Sequence, residues 1–450
     1  MKKIITIFGS TGNLMYKKLI PAFDNLIKHN YLDSDTQIYV VARKNWNLEE
    51  YIEDAKKQVT VPIDWDKLTT YLKYIEMDIT NFDDYYKLKD LIDNFKEVDR
   101  MFYLAVPPSL FPTIAKGIST SGLIKKDDEN SRIVFEKPFG EDLKTAKKIN
   151  QELWSYFSEN QIYRIDHYLG KEMIQNILVV RFANFIFEKN WDNSSIESIV
   201  ILAKETEGIM NRGNYYDKVG ALKDMVQSHL MQMASLVTME KPETYNSNDI
   251  KNEKVKAIKS LKIDPNNIIL GQYKGYKNTK NVDPDSNTET FVYLKACLNN
   301  KRFKNVPIHF LTGKMLDEKR SEIIVNFKHS NSSYSSAQQN KLVIKVAPKE
   351  GVNFILNVKE AGLTKSIIPV KLDYCHNCSF LGNTPEAYEK LLLDLFNKQN
   401  SLFTRWDEIE SSWKIIDELK GHELKVITYE TYEDLKKIII KQSEDIKYDL

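Results

Sequence analysis

The segment Ile4-Ile5-Thr6-Ile7-Phe8-Gly9-Ser10-Thr11-Gly12-Asn13-Leu14 (IITIFGSTGNL) is typical of a buried strand followed by a tight turn and a helix. Glycines in such a turn let the backbone approach a pyrophosphate closely. The helix after it offers free N–H groups and the positive end of its dipole. The spacing is GxxG rather than GxGxxG, so the motif alone fits either a dinucleotide site or a turn that binds nothing.

The pattern around this segment indicates the fold class. Strand-like apolar runs recur at 37–42, 73–77, 101–105 and 132–135, with amphipathic helical stretches between them. This alternation predicts an N-terminal Rossmann-like, doubly wound parallel sheet over residues 1–165. After about Asp166 the strand runs cluster without regular crossover helices. We therefore expect a larger α+β domain over 166–450, built on a mostly antiparallel sheet.

The bulk composition restricts the classes of function. The chain has 450 residues and a formal net charge of +1, so no global field attracts nucleic acid or an acidic membrane. No run approaches the roughly 20 apolar residues of a membrane helix. Three cysteines cannot form a disulfide framework, which favours a reducing, cytoplasmic location. We expect neither a nucleic-acid nor a membrane partner.

Two strand ends carry candidate cofactor residues. The second strand ends in Val41-Ala42-Arg43, where NAD sites usually place an acid that binds the ribose hydroxyl. An arginine there suits the 2′-phosphate of NADP, although an ordinary solvated arginine is the alternative. The fifth strand ends in Glu136-Lys137-Pro138, which predicts a lysine pointing at the cleft, its direction fixed by a cis proline bond. A solvated lysine is the alternative there.

A third motif, RIDHYLGK at 164–171, places an acid, cations and a phenol within eight residues, a set suited to a phosphate dianion. Together with EKPFG at 136–140, RGNYYDKVGALKDMVQSHLMQM at 212–233 and PEAYEKLLLDLF at 385–396, it makes the chain similar to the glucose-6-phosphate dehydrogenase family over nearly its whole length. The motifs follow the family's order at plausible spacing.

The resemblance implies a catalytic pair. His229 stands at the family's base position, and Asp166 at the position of the carboxylate that orients this base. A histidine is suited to act as the general base that takes the proton of the C1 hydroxyl as hydride leaves. An Asp–His pair stabilises the imidazolium that forms. Alone, His229 would more simply be a core histidine on an apolar helix.

The resemblance also implies the binding residues. Those of the sugar phosphate are Lys18, Lys137, His167, Tyr168, Lys171, Glu205, Asp224, Lys314 and Lys319. Those of the cofactor are Gly9, Ser10, Thr11, Gly12, Asn13, Leu14, Arg43, Asp78 and Lys137.

The activity implied is oxidation of D-glucose 6-phosphate to 6-phospho-D-glucono-1,5-lactone with NADP, NAD being an alternative, in a homodimer formed through the sheet of the larger domain. Two other functions stay open: a dehydrogenase of another sugar phosphate, and an inactive homologue that regulates or scaffolds. Asn13 departs from the family's usual Asp, and the chain from Tyr429 onward lacks the family's Gly-Ser-Trp-Gly-Pro-like turn. We assign that tail no role from sequence.

No metal is predicted. Cys375-His376-Asn377-Cys378 contains a CxxC, but structural zinc needs four ligands and no second pair lies nearby in sequence. A thioredoxin-like context for a redox disulfide is also missing. We therefore expect two ordinary thiols at this motif.

Overall fold

The computed structural model describes residues 2–95, 97–329, 336–363, 365–376, 386–443, 446 and 449. The chain forms two compact units, unit 1 (1–170, 246–248 and 385–410) and unit 2 (171–245, 249–384 and 411–450). This division differs from the sequence boundary at 165, since a late segment belongs to unit 1. Leu391, Leu395 and Phe396 of that segment pack in one apolar cluster with Phe23 and Ile27.

The strands and helices of the described residues are as follows. The strands are β1 (Lys2–Phe8), β2 (Gln37–Ala42), β3 (Leu72–Glu76), β4 (Val98–Leu104), β5 (Ser131–Phe135), β6 (Ile162–Ile165), β7 (Ile196–Lys204), β8 (Leu261–Tyr273), β9 (Phe291–Leu298), β10 (Ile308–Gly313), β11 (Arg320–Phe327), β12 (Lys341–Ala347), β13 (Gly351–Lys359), β14 (Ile367–Cys375), β15 (Phe403–Thr404) and β16 (Val426–Tyr429). The α-helices are α1 (Ile20–Lys28), α2 (Leu48–Gln58), α3 (Trp65–Thr69), α4 (Phe82–Asp93), α5 (Phe111–Thr120), α6 (Leu143–Tyr156), α7 (Glu172–Phe182), α8 (Phe185–Lys189), α9 (Gly213–Ala221), α10 (Met231–Thr238), α11 (Ser247–Ser260), α12 (Ala387–Phe396), α13 (Trp406–Glu418) and α14 (Tyr432–Gln442).

Unit 1 contains a sheet of order β15-β6-β5-β4-β1-β2-β3, parallel except for the short β15, which runs antiparallel to β6. Alternate residues of β1 enter different cores: Ile5 packs with α1 and α2, whereas Ile4 packs with α4 and α5. Helices therefore cover both faces, and the predicted doubly wound sheet is confirmed. The order reverses between β1 and β4, the topological switch point at which such sheets bind ligands.

Unit 2 contains a sheet of order β14-β13-β12-β11-β7-β10-β9-β8-β16. Its pairs are antiparallel except β7 with β10 and β8 with β16. The predicted mostly antiparallel sheet is thus confirmed. In the parallel pair, Lys204 at the end of β7 lies opposite Gly313 at the end of β10, so the next residues, Glu205 and Lys314, begin side by side.

A break in the helical region of unit 2 depends on Gly220. Its φ of +68° favours glycine, and a Cβ there would lie 2.3 Å from the Glu289 carboxylate. That carboxylate accepts from the Leu222 N–H at 2.8 Å and so caps the helix that follows. The first nine residues of that helix, Leu222–Leu230, are π-helical before α10 begins.

The expectation of two thiols at the CxxC is wrong for Cys375, which ends β14 and is disulfide-bonded. Cys378 lies outside the described residues. Cys297 is a free, exposed thiol on β9. Among the described residues, every helix is too short or too polar to cross a membrane.

Candidate active site

The glycine turn of unit 1 lies at the switch point of its sheet. Gly9 has φ +82°, and a Cβ there would lie 2.4 Å from the Ala105 carbonyl oxygen after β4. The Ser10 hydroxyl is buried and donates to the Val41 carbonyl at 2.9 Å, so this predicted cofactor residue ties the turn to β2. The Gly12 N–H donates to the Gly9 carbonyl at 3.0 Å. Glycine is thus required by the close approach of β1 and β4.

The helix start after this turn fits the diphosphate of a dinucleotide. Side chains of Asn47, Asn81 and Asp142 cap helices α2, α4 and α6 of the same unit. By contrast, the helical run after the turn begins at Asn13, directly after Gly12, which has no side chain to cap it, and continues through a π-helical stretch, Met15–Leu19, into α1. Backbone N–H groups at an uncapped start need an acceptor, which a diphosphate oxygen supplies. Asn13 is exposed and Thr11 half-buried at this start.

Arg43 and Asp78, both exposed, follow the adjacent strands β2 and β3. Asp78 Oδ1 accepts from the N–H and hydroxyl of Thr80 at 2.9 and 2.8 Å. These hydrogen bonds lower the pKa of Asp78, and the positive charge of Arg43 lowers it further. The two predicted cofactor residues are therefore electrostatically coupled at one edge of the sheet.

The carboxyl end of β5 carries a half-buried, hydrogen-bonded carboxylate beside the predicted lysine. The Lys137–Pro138 bond is cis, as the sequence predicted. Glu136 accepts hydrogen bonds from the hydroxyls of Tyr103 on β4 and Tyr388 on α12. Burial raises the pKa of Glu136 to about 7, although these hydrogen bonds and Lys137 act to lower it. Sequence reasoning did not find this cluster, because Tyr388 comes from a distant segment.

The third motif lies directly after β6. Asp166 is buried, and its Oδ1 accepts from the Tyr168 N–H at 2.9 Å, which fixes the turn. His167 and Tyr168 are half-buried, with ring centroids 5.1 Å apart in an edge-to-face arrangement. The negative charge of Asp166 also helps to raise the pKa of Glu136. The end of β6 is therefore electrostatically coupled to the end of β5.

Lys18 lies on the π-helical stretch after the glycine turn. Its Nζ is 3.0 Å from Glu386 Oε2, just before α12, and both side chains are largely exposed. Such an exposed ion pair contributes little to stability, so Lys18 remains accessible to an anionic ligand.

Unit 2 contains a cavity of about 170 Å³ where β7 and β10 end. Three predicted substrate residues line it: Glu205, Lys314 and Lys319. Lys314 forms an ion pair with Glu205, and its Nζ lies 5.3 Å from the centroid of the Tyr216 ring. The backbone joins the two walls, because the Glu205 N–H donates to the Gly313 carbonyl at 2.9 Å and the Leu316 N–H to the Glu205 carbonyl at 3.0 Å.

Several lining residues were not predicted from the sequence. Arg212 and Glu207 add a cation and an acid to the cavity wall, and Tyr216 adds a ring. The remaining lining residues are Thr206, Gly208, Ile209 and Met210. Arg212 and Tyr216 belong to the RGNYYDKVG motif, so membership of that motif was the available signal.

The π-helical stretch Leu222–Leu230 carries two further predicted residues, Asp224 and His229, both buried. In an α-helix, residues five apart lie about 140° apart around the axis. The i→i+5 bonding of a π-helix instead brings such residues one turn apart on the same side. Asp224 also accepts from the Tyr215 hydroxyl at 3.3 Å, which fixes its carboxylate. The winding of this stretch therefore aligns the predicted base with a predicted hydroxyl acceptor.

Lys171 begins unit 2 as the N-cap residue of α7 and is half-buried. Its charge acts to lower the pKa of Glu350, which burial raises. This predicted phosphate residue therefore stands at the start of α7.

Comparison with known proteins covers both units. The family model described as glucose-6-phosphate dehydrogenase, NAD binding domain, matches residues 6–176. The model described as glucose-6-phosphate dehydrogenase, C-terminal domain, matches residues 178–437. The two matches leave only short stretches at either end uncovered.

Similar proteins agree with these matches. Glucose-6-phosphate 1-dehydrogenase of Bacillus subtilis (strain 168) is 40% identical over 445 residues, which cover 93% of this chain and 91% of that protein. The protein of the same name from Streptococcus pneumoniae serotype 4 is 36% identical over 446 residues, covering 93% and 90%. A solved glucose-6-phosphate dehydrogenase in complex with its substrate glucose-6-phosphate has a TM-score of 0.90 at 32% identity, covering 98% of this chain and 97% of that one. The chain therefore belongs to the glucose-6-phosphate dehydrogenase family.

Proposed function

We propose that this chain oxidises D-glucose 6-phosphate to 6-phospho-D-glucono-1,5-lactone and transfers the hydride to NADP, the first step of the oxidative pentose phosphate pathway. The observation that carries the proposal is the cavity of unit 2, where Glu205 is paired with Lys314 and a second cation, Lys319, lines the wall. A carboxylate orients sugar hydroxyls, and ammonium groups bind hydroxyl oxygens and phosphate.

His229 acts as the general base in this proposal. It takes the proton of the C1 hydroxyl while the C1 hydrogen leaves with its electron pair, and the C1–O bond becomes the lactone carbonyl. Asp166 orients His229 and stabilises its cation. His167, Tyr168 and Lys171 bind the 6-phosphate, and Asp224 holds a sugar hydroxyl. Asp166 and His229 are each buried, which supports these roles because a charge in a buried environment is little screened.

The cofactor belongs to the turn of unit 1. When bound, NADP supplies the nicotinamide ring that accepts the hydride. Gly9, Gly12 and the helix start at Asn13 would receive the diphosphate, while Arg43 would receive the 2′-phosphate. Lys137, at the end of β5, serves both cofactor and substrate.

We also propose a homodimer formed through the nine-stranded sheet. Its edge strand β14 exposes Ile368, Leu372 and Tyr374, an apolar set that a second copy would cover. Light scattering coupled to size exclusion tests this state. A dimer weakened by Leu372→Asp supports the interface, whereas a monomeric wild-type protein contradicts it.

The activity test is an absorbance assay for reduced nicotinamide, with NADP or NAD as acceptor. The sugars are D-glucose 6-phosphate, unphosphorylated glucose and mannose 6-phosphate. We expect reduction of NADP that depends on the 6-phosphate. Faster oxidation of mannose 6-phosphate would instead favour the alternative function, in which the chain is a dehydrogenase of another sugar phosphate. No reduction of either cofactor, with glucose 6-phosphate still bound in calorimetry, would favour the regulatory or scaffolding alternative.

A further inference from the structure

The C-terminal segment, defined here as Val426–Gln442 with β16 and α14, contains most of the tail from Tyr429 onward, to which the sequence assigned no role. It is an integral part of unit 2. β16 extends the nine-stranded sheet parallel to β8, and the Lys274 N–H donates to the Tyr429 carbonyl at 2.8 Å. Leu435 and Ile439 of α14 are fully buried in the same apolar cluster as Leu311 of β10. The segment therefore packs against the strand that leads to the sugar cavity.

Tyr429 holds the backbone of a cavity residue. Its buried hydroxyl donates to the Lys314 carbonyl oxygen at 2.6 Å and lies 3.2 Å from the Thr290 hydroxyl. The Lys314 N–H in turn donates to the Thr290 carbonyl at 3.0 Å. Both backbone polar groups of Lys314 are thus bound by Thr290 and Tyr429. Because the Lys314 side chain forms the ion pair with Glu205, its backbone position fixes that pair in the cavity wall.

Tyr432 packs against a second interaction that holds the loop 314–319, the ion pair of Lys204 with two acids of that loop. The Lys204 side chain is fully buried, with its Nζ 2.7 Å from Asp317 and 3.1 Å from Glu318. These two acids directly precede Lys319. The ring of Tyr432 lies 4.2 Å from the Lys204 Nζ, a cation–π distance that keeps the ammonium group in place.

Tyr432 differs from Tyr429 in its hydroxyl. That group is buried and makes no hydrogen bond within the described residues. The ring of Tyr432, rather than its hydroxyl, therefore does the positioning. Tyr432→Phe is therefore a conservative variant, because it removes only the hydroxyl and keeps the aromatic ring.

We propose that Tyr429 and Tyr432 are positioning residues that hold Lys314 and Lys319 at the sugar-phosphate cavity, so that the C-terminal segment sets the affinity for that substrate. The inference rests on the proposed function of the cavity and deepens it. Neither tyrosine lines the cavity, so each acts through the loop 314–319.

The test compares KM for D-glucose 6-phosphate, KM for NADP and kcat in the full-length protein. Tyr429→Phe is expected to raise KM for the sugar phosphate roughly three- to tenfold, the effect of losing one hydrogen bond, with kcat within about twofold and KM for NADP unchanged. Tyr432→Leu is expected to raise the same KM by a similar factor, and Tyr432→Phe to restore it.

Tyr276→Phe is the matched control. Tyr276 belongs to the same apolar cluster, and its hydroxyl donates to Asp217 at 2.9 Å, neither residue lining the cavity. Thermal unfolding of every variant separates loss of fold from loss of position. If Tyr432→Leu does not fold, KM for D-glucose 6-phosphate in Tyr429→Phe alone tests the inference.

The inference would be overturned if, with an active wild type, KM for D-glucose 6-phosphate in Tyr429→Phe and Tyr432→Leu were the same as in the control Tyr276→Phe. An equal rise in KM for NADP would also overturn it, since a general loosening of the fold would then explain the effect. Wild-type protein that oxidises no glucose 6-phosphate contradicts the proposed function instead, and this result is visible before any variant is made.

Discussion

The two units build their candidate sites in different ways. In unit 1 five candidates follow the carboxyl ends of parallel strands, namely Gly9 after β1, Arg43 after β2, Asp78 after β3, Lys137 after β5 and Asp166 after β6, whereas Lys18 lies on the π-helical stretch. A parallel sheet collects those ends at one edge, so sequence order and strand pattern suffice to group them.

In unit 2 the candidates come from unlike elements. Glu205 and Lys314 follow the parallel neighbours β7 and β10, Asp224 and His229 lie on a π-helical stretch, and Lys319 lies on the loop after β10. A mostly antiparallel sheet has no common edge of strand ends, so helices and loops must bring such residues together.

The largest expected effect tests the base in unit 2. Replacing His229 by Asn should lower kcat by about 10²- to 10⁴-fold, the usual contribution of a general base. Binding of glucose 6-phosphate and NADP should change little, because the side chain keeps its approximate size. Steady-state assays give kcat, and calorimetry gives the two affinities. His422→Asn, at an exposed histidine of the same unit, is the control. A His229→Asn enzyme of wild-type kcat would refute the assignment.

A smaller effect, specific to the cofactor, is expected in unit 1. Arg43→Ala should raise KM for NADP about 10- to 100-fold and leave KM for NAD and for glucose 6-phosphate nearly unchanged, because the guanidinium binds only the 2′-phosphate. Lys57→Ala, at an exposed lysine in the last turn of α2, is the matched charge control. Equal changes in KM for NADP and NAD would show that Arg43 does not distinguish the two cofactors.

The smallest effect is a pH dependence of stability at Glu136. With its pKa raised from 4.5 to about 7, this carboxyl keeps its proton in the folded state while the unfolded chain loses it. The free energy of unfolding therefore falls as pH rises from about 4.5 to 7. Glu136→Gln mimics the protonated form beside Tyr103, Tyr388, Lys137 and Asp166. Its Tm relative to wild type should rise by about 1–5 °C between pH 5 and pH 7.5.

Differential scanning calorimetry at several pH values measures this difference, with Glu129→Gln, in a loop of unit 1, as control. A Tm difference that does not vary with pH would mean that Glu136 is ionised throughout the range. Together, the three variants compare a site made by strand ends with a site made by a helix and a loop.

Two strands of unit 2 have a composition that hides them from sequence patterns. β8 and β14 contain Pro265 and Pro369, which normally argue against a strand. In β8 the register shifts between Ile263 and Ile268, around the proline, and β14 is an edge strand. A bulge or an edge strand accepts a proline because no ladder hydrogen bond is needed from its nitrogen. Only the observed pairing in the sheet shows that these two segments are strands.

The sequence by itself determined the alternating architecture of unit 1, the glycine turn at its switch point and the family to which the chain belongs, because these depend on local periodicity and on motif order. Only the tertiary structure decided the π-helical winding that aligns Asp224 with His229, the pairing of Tyr388 with Glu136 and the support of Lys314 by Tyr429. The last two of these depend on contacts between segments far apart in the chain, for which local sequence carries no signal.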